Sequence, residues 1–149
     1  MGTTTILKDV GGASPIVIFP LTMPPDSTGQ GTFTATIDDG SSLNSGYGQS
    51  SADSGDNHSW NFYFAKGTYT LRAFCITAAN RGILKIQIDG VTVNDSGYDT
   101  NIAATYLPDF STANIEISAG SHTVTLLCDT KTGTGYATYF EMISFERTA

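Results

Sequence analysis

The chain is 149 residues long, with 40% hydrophobic and 14% charged residues and a formal net charge of −7. That length suffices for one domain with its own core, and an aromatic content of 11% argues against disorder. No Lys/Arg run is present, which excludes a phosphate-binding face and with it a nucleic-acid partner.

The N-terminus, MGTTTILKDVGG, lacks the charged start, apolar run and cleavage site of a secretion signal. It fits a protein made in the cytoplasm, or one whose signal has been removed. SPIVIFPLTMPP follows, a short apolar run bracketed by prolines. Proline confines such a run to a sheet edge or to an arm outside the sheet. Residues 1–25 therefore read as an N-terminal arm or edge strand, and residues 26–149 as the domain proper.

GTFTATIDDG (31–40) alternates, with Phe33, Ala35 and Ile37 on one face and Thr32, Thr34 and Thr36 on the other. That is the period-2 mark of a half-buried strand. The polar stretch 40–59, with His58 near its end, reads as a long loop of the kind that carries function. WNFYFAKGTYTLRAFCITA (60–78) reads as a hairpin turning at AKG, with Trp60, Phe62 and Phe64 on its core face. ILKIQID places Leu84, Ile86 and Ile88 inward, and Asp89-Gly90 makes a tight hairpin turn.

Residues 95–111 form a second loop, followed by strands at TANIEISAG and SHTVTLLCD. The last strand, ATYFEMISFER, sets Tyr139, Ile143 and Phe145 against Phe140 and Met142. No segment shows a helical period, and no 20-residue apolar run suits membrane insertion. Eight to ten short strands predict an all-β fold, an antiparallel β-sandwich of the jelly-roll type.

From Trp60 to Gly90 the chain resembles the galactose-binding-like jelly rolls of carbohydrate-binding modules of families 6 and 35. The pieces are Ala65–Leu71, Asp89-Gly90, Ala119–Leu126 and the closing YFEMISFER, within residues 32–148. Asn80–Ile83 and Gly135-Tyr136, together with the DG turn, are similar to the version found in phage tail-fibre and virion-surface proteins.

The resemblance implies a non-catalytic module on a virion surface, a tail-fibre tip or capsid decoration, whose partners are a cell-surface glycan or polysaccharide and other virion proteins, as a homotrimer. A secreted module of a bacterial glycoside hydrolase is the alternative, as is a purely structural particle protein that binds no sugar. Enzyme-linked modules usually open on an acidic strand that helps hold a structural calcium. This chain has no such opening.

A sugar site needs an exposed aromatic face and a few amide or carboxylate partners. Tyr47, Tyr98 and Tyr136, with Gln49, Asp95, Asp99 and Asn101, are the candidates. The competing reading is tyrosines that pack their own loops. Asp38, Asp53, Asp56 and Asn57 supply hard oxygen ligands of the type calcium takes, although Asx turns also explain them. His122, in its G-x-H turn, reads as a local cap. Cys75 and Cys128 end apolar strands and are either buried thiols or a disulfide whose geometry the sequence does not define. No catalytic motif occurs, so no enzyme activity is expected.

Overall fold

The computed structural model describes residues 15–37, 46–50, 53–103 and 105–149, with the backbone alone at 37, 46–50 and 105–108. The strands are β1 (Ile16–Ile18), β2 (Ser27–Gln30), β3 (Phe33–Ile37), β4 (Gly46–Ser50), β5 (Asp56–Phe64) and β6 (Gly67–Thr77). They continue as β7 (Ile83–Ile88), β8 (Val91–Thr92), β9 (Tyr98–Asp99), β10 (Thr105–Ile117), β11 (Gly120–Thr130) and β12 (Tyr139–Arg147). Among the described residues there is no helix.

Two antiparallel sheets pack face to face. One has the order β10-β6-β12-β4-β3, with β1 on β12, and the other β2-β5-β11-β7-β8, with β9 on β7. The fold is the all-β jelly-roll sandwich that the sequence predicts. Leu71, Ala73 and Cys75 of β6, and Phe140, Ile143 and Phe145 of β12, face Trp60, Phe62 and Phe64 of β5 and Leu84, Ile86 and Ile88 of β7. The Trp60 row is core, as its alternation predicts.

The segment 60–78 is not a hairpin. β5 pairs with β2 and β11 in one sheet, while β6 pairs with β10 and β12 in the other. The chain arches across the sandwich at Ala65-Lys66, and the rings of Phe64 and Tyr69 meet edge-on with centroids 5.4 Å apart. Alternation reports one buried face per strand. It does not say whether the next strand lies beside that face or opposite it. By contrast Asp89-Gly90 is a true hairpin turn, with φ of 51° and 82° and the pairs Ile88↔Val91 and Gln87↔Thr92 around it.

Three further expectations change. The polar stretch 40–59 contains β4 and the start of β5, so His58 is a fully buried strand residue rather than a loop residue. The loop expected over 95–111 contains β9 and the first half of β10. In β12 a register shift between Phe140 and Met142 breaks the alternation, so Phe140 joins Ile143 and Phe145 in the core. A bulge adds one residue to one strand and re-aims everything beyond it.

β1 pairs antiparallel with β12, Ile16 against Phe145 and Ile18 against Ile143. β4 takes the same edge of β12 further along, at Tyr139 and Phe140. Residues 1–14, most of the expected arm, lie outside the described residues.

Candidate functional site

β6 and β11 finish, and β7 and β12 begin, at one end of the sandwich, here the upper rim. Three connections, residues 78–82, 100–103 and 131–138, therefore lie side by side. Backbone bonds tie them: Ala78 N to Thr100 O (3.2 Å), Thr100 N to Gly82 O (3.1 Å) and Gly82 N to Ala137 O (2.9 Å). A Cβ on Gly135 would collide with the Asn80 carbonyl oxygen, so only glycine allows the first and third of these turns to meet this closely.

Side chains complete the rim. Asp99 Oδ1 accepts from the Asn101 N–H at 2.9 Å, and Asp99 Oδ2 from the Thr132 hydroxyl at 2.8 Å. Asn101 Nδ2 donates to Thr132 Oγ1 (3.1 Å), and Asn101 Oδ1 accepts from the Asn80 N–H (2.8 Å). Thr134 donates to Asn80 Oδ1 at 2.7 Å. Linked bonds of this kind rigidify loops that have little apolar surface of their own. Lys131 Nζ stands 4.1 Å from the half-buried Tyr136 ring and donates to the Thr134 carbonyl. The Arg81 guanidinium carbon lies 3.4 Å from the centroid of the Tyr139 ring.

Of the residues proposed from sequence, Asp99, Asn101 and Tyr136 come together here. Tyr98 is next to them but does not offer a ring face. It is buried, stacked on Phe110 with centroids 5.0 Å apart, and its hydroxyl bonds Thr112 Oγ1 at 2.7 Å. Burial pushes its phenol up to about 12. Its loop reading fails because β9 pairs with β7 and turns the ring inward.

Asp95 stands away from the rim, exposed in the turn before β9 with a φ of 53°, a backbone state that Asp tolerates better than most residues. Gln49 is the register partner of Tyr139, and Tyr47 lies two residues further from the rim on β4. Their side chains fall outside the described residues.

Asp53, Asp56 and Asn57 reach the same end, where the described contacts engage them at the turn before β5. Asp56 is buried and accepts from the Asp53 N–H at 3.1 Å. Asn57 donates to the Gly55 carbonyl at 2.9 Å, with its amide oxygen packed on Gly29. Among the described residues no three His, Cys, Asp or Glu side chains gather as a metal group. Asp38 lies outside the described residues.

Arg81, Tyr139, Lys131, Asn80, Thr132 and Thr134 were not singled out from sequence. In the sequence Asn80 and Arg81 figure only within the Asn80–Ile83 resemblance, and TKTGTGY only as a short loop.

Three further titratable groups are buried. Cys75 and Cys128 are free, buried and protonated, each pushed up to about 12 chiefly by burial. Cys128 donates to the Tyr136 carbonyl. A thiol becomes a nucleophile only as thiolate. Burial also lowers His58 below its usual range, against a smaller opposing effect of Asp56. Its Nδ1 lies 3.2 Å from the Thr28 hydroxyl.

No family model matches the chain, and no curated protein does. Solved structures do match. A family 36 carbohydrate-binding module in complex with calcium and xylotriose is 18% identical with a TM-score of 0.65, over 88% of this chain and 99% of that one. A family 6 module from Clostridium cellulolyticum in complex with xylose is 17% identical with a TM-score of 0.60, over 89% and 97%. A family 35 module from Clostridium thermocellum is 13% identical with a TM-score of 0.64, over 91% and 100%. At these identities the likeness establishes the fold, that of the carbohydrate-binding-module jelly rolls.

Proposed function

We propose that this chain is a non-catalytic glycan-binding module whose ligand sits on the upper rim. The observation that carries the reading is the cross-linking of Asp99 and Asn101 to Thr132, on the same connection that carries Tyr136. Tyr136 supplies an aromatic face for the C–H side of a sugar ring, and the amides and hydroxyls supply partners for its hydroxyl groups. The support for a non-catalytic role is the likeness to carbohydrate-binding modules.

The setting we propose is a virion surface, a tail-fibre tip or capsid decoration that engages cell-surface glycans. The support is the resemblance carried by Asn80–Ile83, Asp89-Gly90 and Gly135-Tyr136. A module attached to a secreted glycoside hydrolase is the second reading, favoured by the likeness to carbohydrate-binding modules.

A glycan array with calcium and with chelator tests the binding. A defined family of sugars supports the reading, and a blank array overturns it in favour of a purely structural role. A chelator-sensitive signal would support bound calcium, for which Asp38, Asp53, Asp56 and Asn57 are the candidate ligands. Light scattering separates the settings: a stable homotrimer supports the virion reading, and a monomer the enzyme-linked one.

A further inference from the structure

We propose that this chain assembles with a second copy by exchanging β1, so that Ile16–Ile18 of one copy fills the β12 edge of the other. The inference concerns the side of the sandwich and does not rest on the glycan-binding reading.

Backbone pairing and apolar fit alone hold β1 in place. Among the described residues it pairs only with β12, in the register Ile16↔Phe145, Val17↔Ser144 and Ile18↔Ile143. Its Ile, Val and Ile side chains form no hydrogen bond or ion pair. Ile16 and Ile18 nonetheless belong to the main core cluster, with Ile143 and Phe145. Their place beside β12 has to be filled. An empty one would leave a cavity in the core and an unpaired stretch of strand edge. The Ile-Val-Ile of any copy fills it equally well.

The turn after β1 decides which copy supplies the strand. The Phe19 carbonyl accepts from the Thr22 and Met23 N–H groups, at 3.1 and 2.9 Å. That turn folds β1 back onto its own body. Beyond it the chain is anchored, since the Met23 carbonyl accepts from Trp60 Nε1 at 2.9 Å. Pro24-Pro25 then favours a stiff, extended backbone. Opening residues 19–22 straightens the chain from β1 into that segment and carries β1 away from its own β12. A detachable strand, a short hinge and an anchored point beyond it are what exchange between identical copies requires.

The surface of the turn fits the same partner. Phe19 and Leu21 are each 38% exposed, and they are two of the five large apolar side chains exposed among the described residues. In an exchanged pair the two opened hinges pass side by side from one copy to the other. Phe19 and Leu21 of each hinge then meet their counterparts and leave water. Opening the turn releases two backbone bonds and the buried Pro20, which favours the closed copy in dilute solution. Every contact of β1 itself is restored in the pair, so the burial of the hinges favours exchange as concentration rises.

Two single-cysteine variants, Val17→Cys and Ser144→Cys, test this when they are mixed in urea, refolded together and oxidised. The two positions are register partners, at a separation that a disulfide spans with small adjustment. The native Cys75 and Cys128 are buried. The expected result is a covalent heterodimer on a denaturing gel without reductant, absent from either variant alone. A mixture that gives no heterodimer, while a chain carrying both substitutions cross-links to itself as a monomer, overturns the inference. Because Ser144 is buried, a second variant leaves the core untouched. Phe19→Ser with Leu21→Ser should shift light scattering toward the monomer and leave melting of the dilute protein unchanged. An unmodified chain that scatters as a monomer at every concentration also overturns the inference, as does association that the double serine variant leaves intact. Glycan binding stands or falls separately, on the array.

Discussion

The two ends of the sandwich are closed by different means. At the lower end, where β5 passes to β6 and β10 to β11, apolar packing dominates. Phe64 is fully buried, its ring edge-on to Tyr69, Phe145 and His122. His122 Nδ1 donates to Asp89 Oδ2 at 2.6 Å, and Nε2 lies 3.0 Å from the Ser118 carbonyl. Asp89 Oδ1 accepts from the Thr123 N–H at 2.9 Å. The local cap expected of His122 is what the structure shows.

At the upper end the connections are longer, and side-chain amides, hydroxyls and one carboxylate cross-link them. Two cations are stacked on tyrosines there. At the lower end buried rings make the closure, and the polar groups beside them are taken up in capping the turns. An end closed by polar cross-links can be rigid and still present polar groups.

If that contrast is right, lower-end changes cost stability and upper-end changes cost binding. The largest expected effect is Phe64→Ala, with a loss of about 3–5 kcal/mol from the cavity it leaves. Urea unfolding measures it, and folded protein at low temperature should bind glycan as before. A loss of under about 1 kcal/mol would show that the lower end is not the anchor.

At the upper end, Tyr136→Ala and Asn101→Ala should each lower glycan affinity by about tenfold or more while costing only about 1 kcal/mol of stability. Unchanged affinity in both would move the site off the rim.

Smaller effects come from titration. His58 has a folded-state value below its free value of 6.5 because burial disfavours the charged ring. Its contribution to stability is therefore complete above pH 6.5. It is lost as pH falls from there through the folded value, since the unfolded chain then takes up the proton more readily. Urea midpoints across pH measure the slope, which should be absent in His58→Gln even if that whole curve lies lower.

The smallest effect belongs to Asp89, whose carboxyl is lowered first by the Thr123 N–H and then by His122. Its contribution is present above the free value of 3.8 and lost as pH falls through the lower folded value. Asp89→Asn should flatten only that acid limb, by a small amount because the carboxylate is half exposed.

Little of the site could be read ahead of the fold. Tyr98 and Tyr136 look alike in sequence, each a tyrosine after glycine on a polar loop. Strand pairing with β7 turns Tyr98 into the core, whereas Tyr136 stays on the rim. The contact of Arg81 with the Tyr139 ring was not legible, because the two stand 58 positions apart in the numbering.

The sequence by itself determined where most strands run, which face of each is apolar, the DG hairpin, the Trp60 row in the core and the all-β class. These are consequences of side-chain period and turn chemistry, which act over a few residues. Only the tertiary structure decided that β5 and β6 arch between sheets, that a bulge sends Phe140 inward, and which loops meet at the rim. Each of those depends on which strand pairs with which, a choice made between residues far apart in the chain. It is settled by the burial of the whole core rather than by any one segment.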